Sequence, residues 1–341
     1  MMMKVGIEAI EYYLPEKCLS NEAFSHLGVD QSFMKEKVGI EKRFISGENE
    51  GVSDMAVKAA EKLFGSHNID PARTRALVLC TQNPDYVLPT TACIVQDRLK
   101  IPKSSMCFDV NLGCSGFVYS LGIAAGLINT FGFENVLVIT SEAYSKVISY
   151  QDKTTATIFS DGAAATFVVH DAHSSHFVSF NFGTDGGGYK NLIVPVSGSK
   201  RQRTAETSAL KEYSPGVKRS EENLFMDGHE ITKFVFKEIP NSIKEILQKS
   251  NIELHSIDRF FFHQASKYML ESLVKRMNLP AEKVYIDLSR GNTVSSTIPI
   301  ALRDHYNNGT NLNETVLISG FGVGYSWACS ILNIQTSFGG S

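Results

Sequence analysis

Three residues of this chain have side chains suited to catalysis, a thiol, an imidazole and an amide, and each sits near the end of an apolar run. Cys114 lies in "FDVNLGCSGFVYSL", flanked by Gly113 and Gly116, where a strand-like run gives way to helical periodicity. The free amides and dipole at a helix start favour an anion. A thiolate there is expected to have a lowered pKa and raised nucleophilicity. The glycines allow a tight turn and the close approach of a substrate carbonyl. The pattern is similar in kind to the strand–nucleophile–helix elbow of hydrolases, without being that motif. A small buried residue at a turn explains the same pattern, so Cys114 alone leaves both readings open. His263 closes the run "RFFFH", where a core or capping histidine is the ordinary reading, and Asn292 lies in "SRGNTVSS", where Gly-Asn is also a turn signature. Taken together at strand ends, the three suit one shared cleft, because ligands of α/β sheets collect there.

The elements that must position them are legible as continuous apolar runs: "KVGIEAI", "ALVLCT", "MCFDV", "NVLVITS", "ATFVVH", "RFFFHQ", "KVYIDL" and "TVLISGF". Continuous rather than alternating apolarity marks strands covered on both faces. Helical stripes lie between them: Ala56, Ala59, Ala60, Leu63 and Phe64 with Ser53 as N-cap; Phe117, Leu121, Ala124, Ala125 and Ile128; Ile231 to Ile246 with a kink expected at Pro240; and Leu270, Leu273, Val274 and Met277. This alternation predicts an α/β fold with parallel sheets and crossover helices. The order strand, helix, strand, turn, helix, strand appears twice. Thr81 and Cys114 are 33 positions apart; His263 and Asn292 are 29 apart. Two pseudo-symmetric halves follow, with Cys114 and Asn292 as counterparts at the starts of equivalent helices. The division expected is 1–180 for a first half carrying the cysteine, 181–230 for a connecting segment, and 231–341 for a second half carrying His263 and Asn292. Within the connection, 196–223 is polar and charged and reads as a surface excursion.

Composition narrows the field. The 341 residues are 43% hydrophobic and 20% charged, which suits a globular protein large enough for two halves. A net charge of −3 gives no general bias toward nucleic acid or acidic membranes. No apolar stretch is long enough for a membrane span, and the N-terminal stretch lacks a signal-peptide core. Six cysteines without a CxxC pair or regular framework read as free thiols in a reducing cytoplasm. His170, His173 and His176 have HxxHxxH spacing but fall across a strand–turn–strand segment, so a solvated hairpin end is expected rather than a metal site. "GTDGGGYKN" lacks the Lys-Ser/Thr ending of a phosphate loop. "SKRQR" at 199–203 has no interleaved aromatics and reads as a solvated loop, not a nucleic-acid patch.

The segments "DVNLGCSGFVYSL", "FFHQAS" and "RGNTVSSTIPIAL" resemble the catalytic segments of the β-ketoacyl-acyl-carrier-protein synthase III family of the thiolase-like superfamily. "YLPEKCLSNEAF", "VGIEKR", "IFSDGAAA", "MDGHEITKF" and the closing "GFGVGYSWA" resemble further family segments in the same order. The ordered set covers nearly the whole chain outside 196–223. The resemblance implies a five-layer αβαβα thiolase-like fold, a homodimer, and a Cys-His-Asn triad of Cys114, His263 and Asn292. Cys114 would be the acylated nucleophile. His263 and Asn292 would donate hydrogen bonds to the thioester oxygen of a malonyl-type substrate as it loses carbon dioxide. The amides of Cys114 and Gly324 would form the oxyanion hole. Coenzyme A or acyl-carrier-protein thioesters would serve as substrates, with no cofactor and no metal.

The chain also departs from the family pattern. Phe33 stands where tryptophan is usual, Lys37 and Lys153 where arginines are usual, and Tyr268, beside Lys267, where a basic residue is usual. Lysine keeps the charge but loses the bidentate fork, so a carrier-protein-bound or other acyl donor is expected beside coenzyme A. Leu88 stands where a phenylalanine often reaches across the dimer toward the acyl pocket, which implies altered acyl choice. The reading is a decarboxylative condensing enzyme, an acyltransferase of fatty-acid or specialised lipid metabolism. The alternative passes the acyl group from Cys114 to an oxygen or nitrogen nucleophile, with His263 as general base. A 3-hydroxy-3-methylglutaryl-CoA-synthase-like reaction would need a carboxylate base near the cleft, for which "CTQNPDYVLP" offers only Asp85. A degenerate, non-catalytic subunit is disfavoured because all three triad positions are intact.

Overall fold

The computed structural model describes residues 5–307 and 310–338; residues 1–4 of the N-terminal stretch, 308–309 and 339–341 lie outside the described residues. Two five-stranded sheets form the frame. The first contains β1 (Val5–Tyr13), β2 (Ala76–Cys80), β3 (Met106–Val110), β4 (Asn135–Glu142) and β5 (Gly162–His170) in the order β1-β5-β4-β2-β3. The second contains β6 (Ser175–Thr184), β7 (Arg259–Phe262), β8 (Val284–Tyr285), β9 (Thr310–Gly322) and β10 (Ser326–Thr336) in the order β6-β10-β9-β7-β8. Adding five to each strand of the first sheet gives the second, so the duplicated sequence pattern is also a duplicated topology. The chain changes sheets between His170 and Ser175. The HxxHxxH segment is therefore a link between two sheets, not the hairpin expected.

The sheets are mixed rather than parallel. β4, β2 and β3 run parallel, joined by crossover helices, while β5 pairs antiparallel with β4 and with β1. The second sheet repeats this, with β8, β7 and β9 parallel and β10 antiparallel to both β9 and β6. β10 follows β9 directly across a tight turn, and the link from β4 to β5, residues 143–161, holds only a single 3₁₀ turn and the four-residue helix Lys153–Ala156, so neither connection has a crossover helix to return the chain to the same end.

Helices supply the other layers. α1 (Val52–Ser66) and α2 (Thr91–Arg98) bury Ala56, Ala60, Leu63 and Val95 on the outer face of the first sheet. α3 (Gly116–Phe131) and, from the second half, α6 (Thr297–His305) lie between the sheets, where Phe117, Leu121, Ile298 and Leu302 meet strand residues of both. α4 (Gly228–Ser250) and α5 (Lys267–Arg276) cover the outer face of the second sheet through Ile239, Ile243, Leu270 and Leu273. This is the expected αβαβα layering. α3 is apolar nearly all round because it is covered from both sides, whereas α4 has one apolar stripe because it faces solvent. Pro240 sits inside the continuous α4. α1 starts at Val52 after Gly51, with the Asp54 side chain accepting from the Gly51 N–H, so Ser53 is not its cap. The 196–223 excursion is more ordered than its composition suggests. It holds a short helix, Ala205–Ser208, and paired strands Lys211–Ser214 and Val217–Arg219.

Candidate active site

Cys114 sits in the turn between β3 and α3, 6% exposed. That turn is closed by the Gly116 N–H donating to the Gly113 carbonyl at 2.7 Å. The end of β9 lies directly against the cysteine. A side chain at Gly322 would put its Cβ 3.0 Å from Cys114 Sγ, and one at Gly320 would stand 2.5 Å from the Cys114 carbonyl oxygen. Glycine is required at both places because no side chain fits between the strand and Cys114. The thiol does not behave as its helix-start position predicts. Burial, followed by the nearby Glu142, pushes its pKa up rather than down. The resting group is the thiol, because loss of water outweighs the helix end.

His263 closes β7 and is buried. Its Nδ1 lies 2.7 Å from Thr297 Oγ1 at the start of α6, which leaves Nε2 as the nitrogen available to the cavity. Burial drives the imidazole down to about 3, so the ring is neutral near pH 7. Asn292 precedes α6. Its Oδ1 accepts the Val294 N–H at 2.9 Å, so its amide NH2 is the group free to donate elsewhere. Its backbone bridges to the first half, with Ser160 N–H donating to the Asn292 carbonyl at 2.9 Å and Asn292 N–H donating to the Ile158 carbonyl at 3.2 Å. Gly291 has φ 70°, and a Cβ there would meet the Ser160 Cβ at 2.8 Å. The Gly-Asn pair is thus a turn residue plus a side chain held in place by it.

Cys114, His263 and Asn292 line one cavity of about 160 Å³, with Phe159, Leu192, Tyr268 and Gly322 among its other walls. A larger polar groove, about 1010 Å³, opens beside His67, Glu134 and His170 and holds none of the three. Of the remaining expected residues, Tyr268 lines the cavity, and Lys37 Nζ stands 5.0 Å from its ring centroid, a cation–π contact at the mouth. Lys267 neighbours Tyr268 and faces Glu271 at 3.8 Å. Phe33 is half exposed on the turn just before Lys37. Lys153 begins a short helix against the 211–219 hairpin, its N–H donating to the Gly216 carbonyl. Leu88 is 79% exposed and lies outside its own chain's cavity. Gly324 is also outside the cavity, two residues past the Gly322 contact.

Glu142 is the residue that the sequence reading missed. Fully buried at the end of β4, it accepts the Gln82 N–H at 3.1 Å and the Ser295 hydroxyl at 3.0 Å, and burial raises its pKa to about 8. The signal was present: "NVLVITSE" ends a buried strand on a carboxylate. Glu142 does not line the cavity, and Asp85 instead accepts the Ser53 N–H in the first turn of α1. Neither lines the cavity that holds Cys114. The basic run is neutralised within its own excursion, as Arg201 pairs with Glu221 and Arg203 with Glu222. "GTDGGGYKN" packs its Gly188 against Tyr325, leaving no phosphate cradle there.

Residues 108–186 match the family described as 3-oxoacyl-[acyl-carrier-protein] synthase III, and residues 247–334 match its C-terminal domain. A β-ketoacyl-[acyl-carrier-protein] synthase III of Fusobacterium nucleatum is 32% identical over 335 residues, 97% of this chain and 99% of that protein. The protein of the same name from Caldanaerobacter subterraneus is 34% identical, covering 96% and 97%. A crystal structure of a 3-oxoacyl-(acyl-carrier-protein) synthase III superposes with TM-score 0.91 at 38% identity, over 97% of this chain and 99% of that one. The synthase III of Thermus thermophilus gives 0.85 at 30% identity, over 97% and 100%.

Proposed function

The chain belongs to the 3-oxoacyl-[acyl-carrier-protein] synthase III family, and on that premise we propose how its own residues carry out the family's reaction. It is a condensing acyltransferase. An acyl group passes from a coenzyme A or carrier-protein thioester to Cys114 Sγ; the donor's acyl C–S bond breaks, and the thiol proton of Cys114 ends on the departing thiol. Backbone amides at Cys114 and in the 322–324 turn hold the carbonyl oxygen of the tetrahedral intermediate. A malonyl-type thioester then binds with its carbonyl oxygen toward His263 Nε2 and the Asn292 amide. Carbon dioxide leaves, and the enolate that remains is stabilised by these two fixed donors. Its carbon attacks the acyl group on Cys114, the acyl C–S bond to Cys114 breaks, and the sulfur leaves as a thiolate that takes a proton from solvent to restore the thiol. Splitting the reaction at the acyl-enzyme divides one hard step into two easier ones.

The observation that carries this reading is the way the two donors are committed. Thr297 Oγ1 lies against His263 Nδ1, and the Val294 N–H occupies Asn292 Oδ1, so His263 Nε2 and the Asn292 amide are the groups left toward the cavity that holds Cys114; Nε2 carries the ring proton when Thr297 gives its hydroxyl hydrogen to Nδ1 instead of to the Val294 carbonyl 3.1 Å away. Lys37 sits over Tyr268 at the cavity, with Lys267 beside it, and a phosphopantetheine arm and an acidic carrier protein would meet the enzyme there; Phe33, half exposed, and Lys153 are proposed further contacts for them. The exposed residues Tyr86, Val87 and Leu88 form a contiguous apolar tip suited to a second copy of the chain, so the working form is a homodimer. No helix among the described residues is long and apolar enough to cross a membrane; diffusible thioesters in the cytoplasm are the proposed substrates. The test is intact-mass detection of an acyl adduct with acyl-CoA and acyl-carrier-protein donors. The adduct is expected on the native chain and absent from Cys114→Ala, and malonyl thioester should then release carbon dioxide. An adduct without carbon dioxide release would overturn the condensation step.

A further inference from the structure

Thr140 and Glu142 are two positions apart on β4, so their side chains leave the same face of the strand. Both meet the turn Val294–Ser296, which leads into α6 and follows Asn292 by two residues. Thr140 Oγ1 lies 2.8 Å from Ser296 Oγ, and Glu142 Oε1 lies 3.0 Å from Ser295 Oγ. The same turn supplies the Val294 N–H that holds Asn292 Oδ1. The other carboxyl oxygen, Glu142 Oε2, accepts the Gln82 N–H at 3.1 Å. Gln82 in turn packs its side chain against Gly113, beside Cys114, where any Cβ would collide with Gln82 Oε1. One carboxyl group thus joins the residues that support Cys114 in the first half to those that support Asn292 in the second.

Glu142 is wholly buried. The titratable groups around it are Asp161 before β5, Cys80 at the end of β2, Cys114 and Tyr144. All four are acids, so a charge on Glu142 would find no cation among them. Burial first, and Asp161 with it, raises the carboxyl to about 8, which leaves it neutral near pH 7. The Thr81 side chain hydrogen-bonds it and can take the acid hydrogen.

We propose that Glu142 is a positioning residue: it fastens the Asn292 turn to the Cys114 turn, and does so as the neutral acid, because a charge there would oppose the negative charge that Cys114 Sγ gains as it attacks a thioester. The inference rests on the reading of Cys114 as the acylated nucleophile, and the bonds made and broken are those given above. Glu142 touches no substrate; it acts through Cys114 and Asn292.

Two measurements test this. The first follows alkylation of Cys114 by iodoacetamide from pH 6.5 to 9.5, read by mass on the peptide that contains it. A thiol of raised pKa reacts in proportion to its thiolate, so the rate should climb about tenfold per pH unit. In the native chain the climb is expected to flatten above pH 8, as Glu142 ionises beside the sulfur. In Glu142→Gln, which cannot ionise, it should continue, opening a gap of about tenfold by pH 9.5. Parallel climbs in the two chains would overturn the inference. The second uses whichever acyl-CoA, from acetyl to octanoyl, acylates the native chain fastest. Glu142→Ala is expected to slow condensation of the acylated enzyme with malonyl thioester about tenfold more than it slows acylation, and Glu142→Gln to recover most of that loss. Ser295→Ala breaks the same tie from the other half and carries the test if Glu142→Ala does not fold. Equal slowing of both steps in a folded variant would mark a merely structural role and overturn the inference. Alkylation needs no acyl transfer, so failure of the acyl-enzyme reading would show separately: a native chain that alkylates at Cys114 but takes no acyl group would overturn that reading and this inference with it.

Discussion

Burial acts on Glu142 and His263 in opposite senses and leaves both uncharged. The carboxyl is raised to about 8 and the imidazole lowered to about 3, because in each case the form without charge is the one that tolerates loss of water. With Cys114 as a thiol, the centre is neutral at pH 7, which suits an apolar acyl group and concentrates the effect of the fixed dipoles around it. The two groups also mark the pH dependence of stability. His263 is neutral in the folded chain and protonated in the unfolded one between pH 3 and about 6.5, so its contribution is lost as pH falls through that window. Glu142 is protonated when folded and ionised when unfolded between about 4.5 and 8, so stability falls as pH rises through that window. Above pH 6.5 only Glu142 of this pair still acts. Melting temperatures of the native chain and Glu142→Gln, followed from pH 6.5 to 8.5, should therefore diverge, the native chain losing more. A difference that stays constant with pH would count against a protonated Glu142.

At the scale of elements, the site is made by strand ends and helix starts brought face to face. β3 leads into Cys114 and α3; β7 ends on His263; the turn before α6 carries Asn292; and β9 closes over the cysteine. The contact between β9 and the Cys114 turn is the tightest of these. At Gly320 a Cβ would meet the Cys114 carbonyl oxygen at 2.5 Å and the Ser115 Cα at 2.9 Å, both backbone atoms that cannot move alone. Gly320→Ala should destabilise the chain by about 2 kcal/mol and slow acylation as the nucleophile turn is displaced. Gly186→Ala meets nothing within 4 Å and should leave both unchanged. Denaturant unfolding and acylation rates on the two variants check this, and equal behaviour would mean that the turn and strand are not rigidly coupled.

At the scale of the molecule, the doubled topology sets His263 and Asn292 on the half opposite Cys114, with α3 and α6 both buried between the sheets. Tyr86, Val87 and Leu88 are all largely exposed. Three consecutive apolar residues left in water carry an energetic penalty that a second copy would remove. Sedimentation of the native chain as a dimer, shifted toward the single-chain mass by Leu88→Asp, is the expected result. Native material sedimenting at one-chain mass over the working concentration range would dismiss the dimer.

Much of this was legible in the residue order. Apolar continuity marked most of the long strands, 3.6-residue stripes marked the principal helices, and the repeated order of turns marked two halves with Cys114 and Asn292 in matching places. These are local properties, set by side chains within one or two turns of each other. The antiparallel strands, the link between sheets at the histidines, and the inward place of Glu142 were not legible, because each depends on which distant segment covers which. The same holds for chemistry. That a cysteine starts a helix is written in "NLGCSGF"; that its thiol is pushed up rather than down depends first on its burial under β9 and second on the charge of Glu142 nearby. That position 144 is a tyrosine is sequence; that its hydroxyl finds Gln82, 62 positions earlier, beside the cavity that holds Cys114, is decided only when β2 and β4 lie side by side.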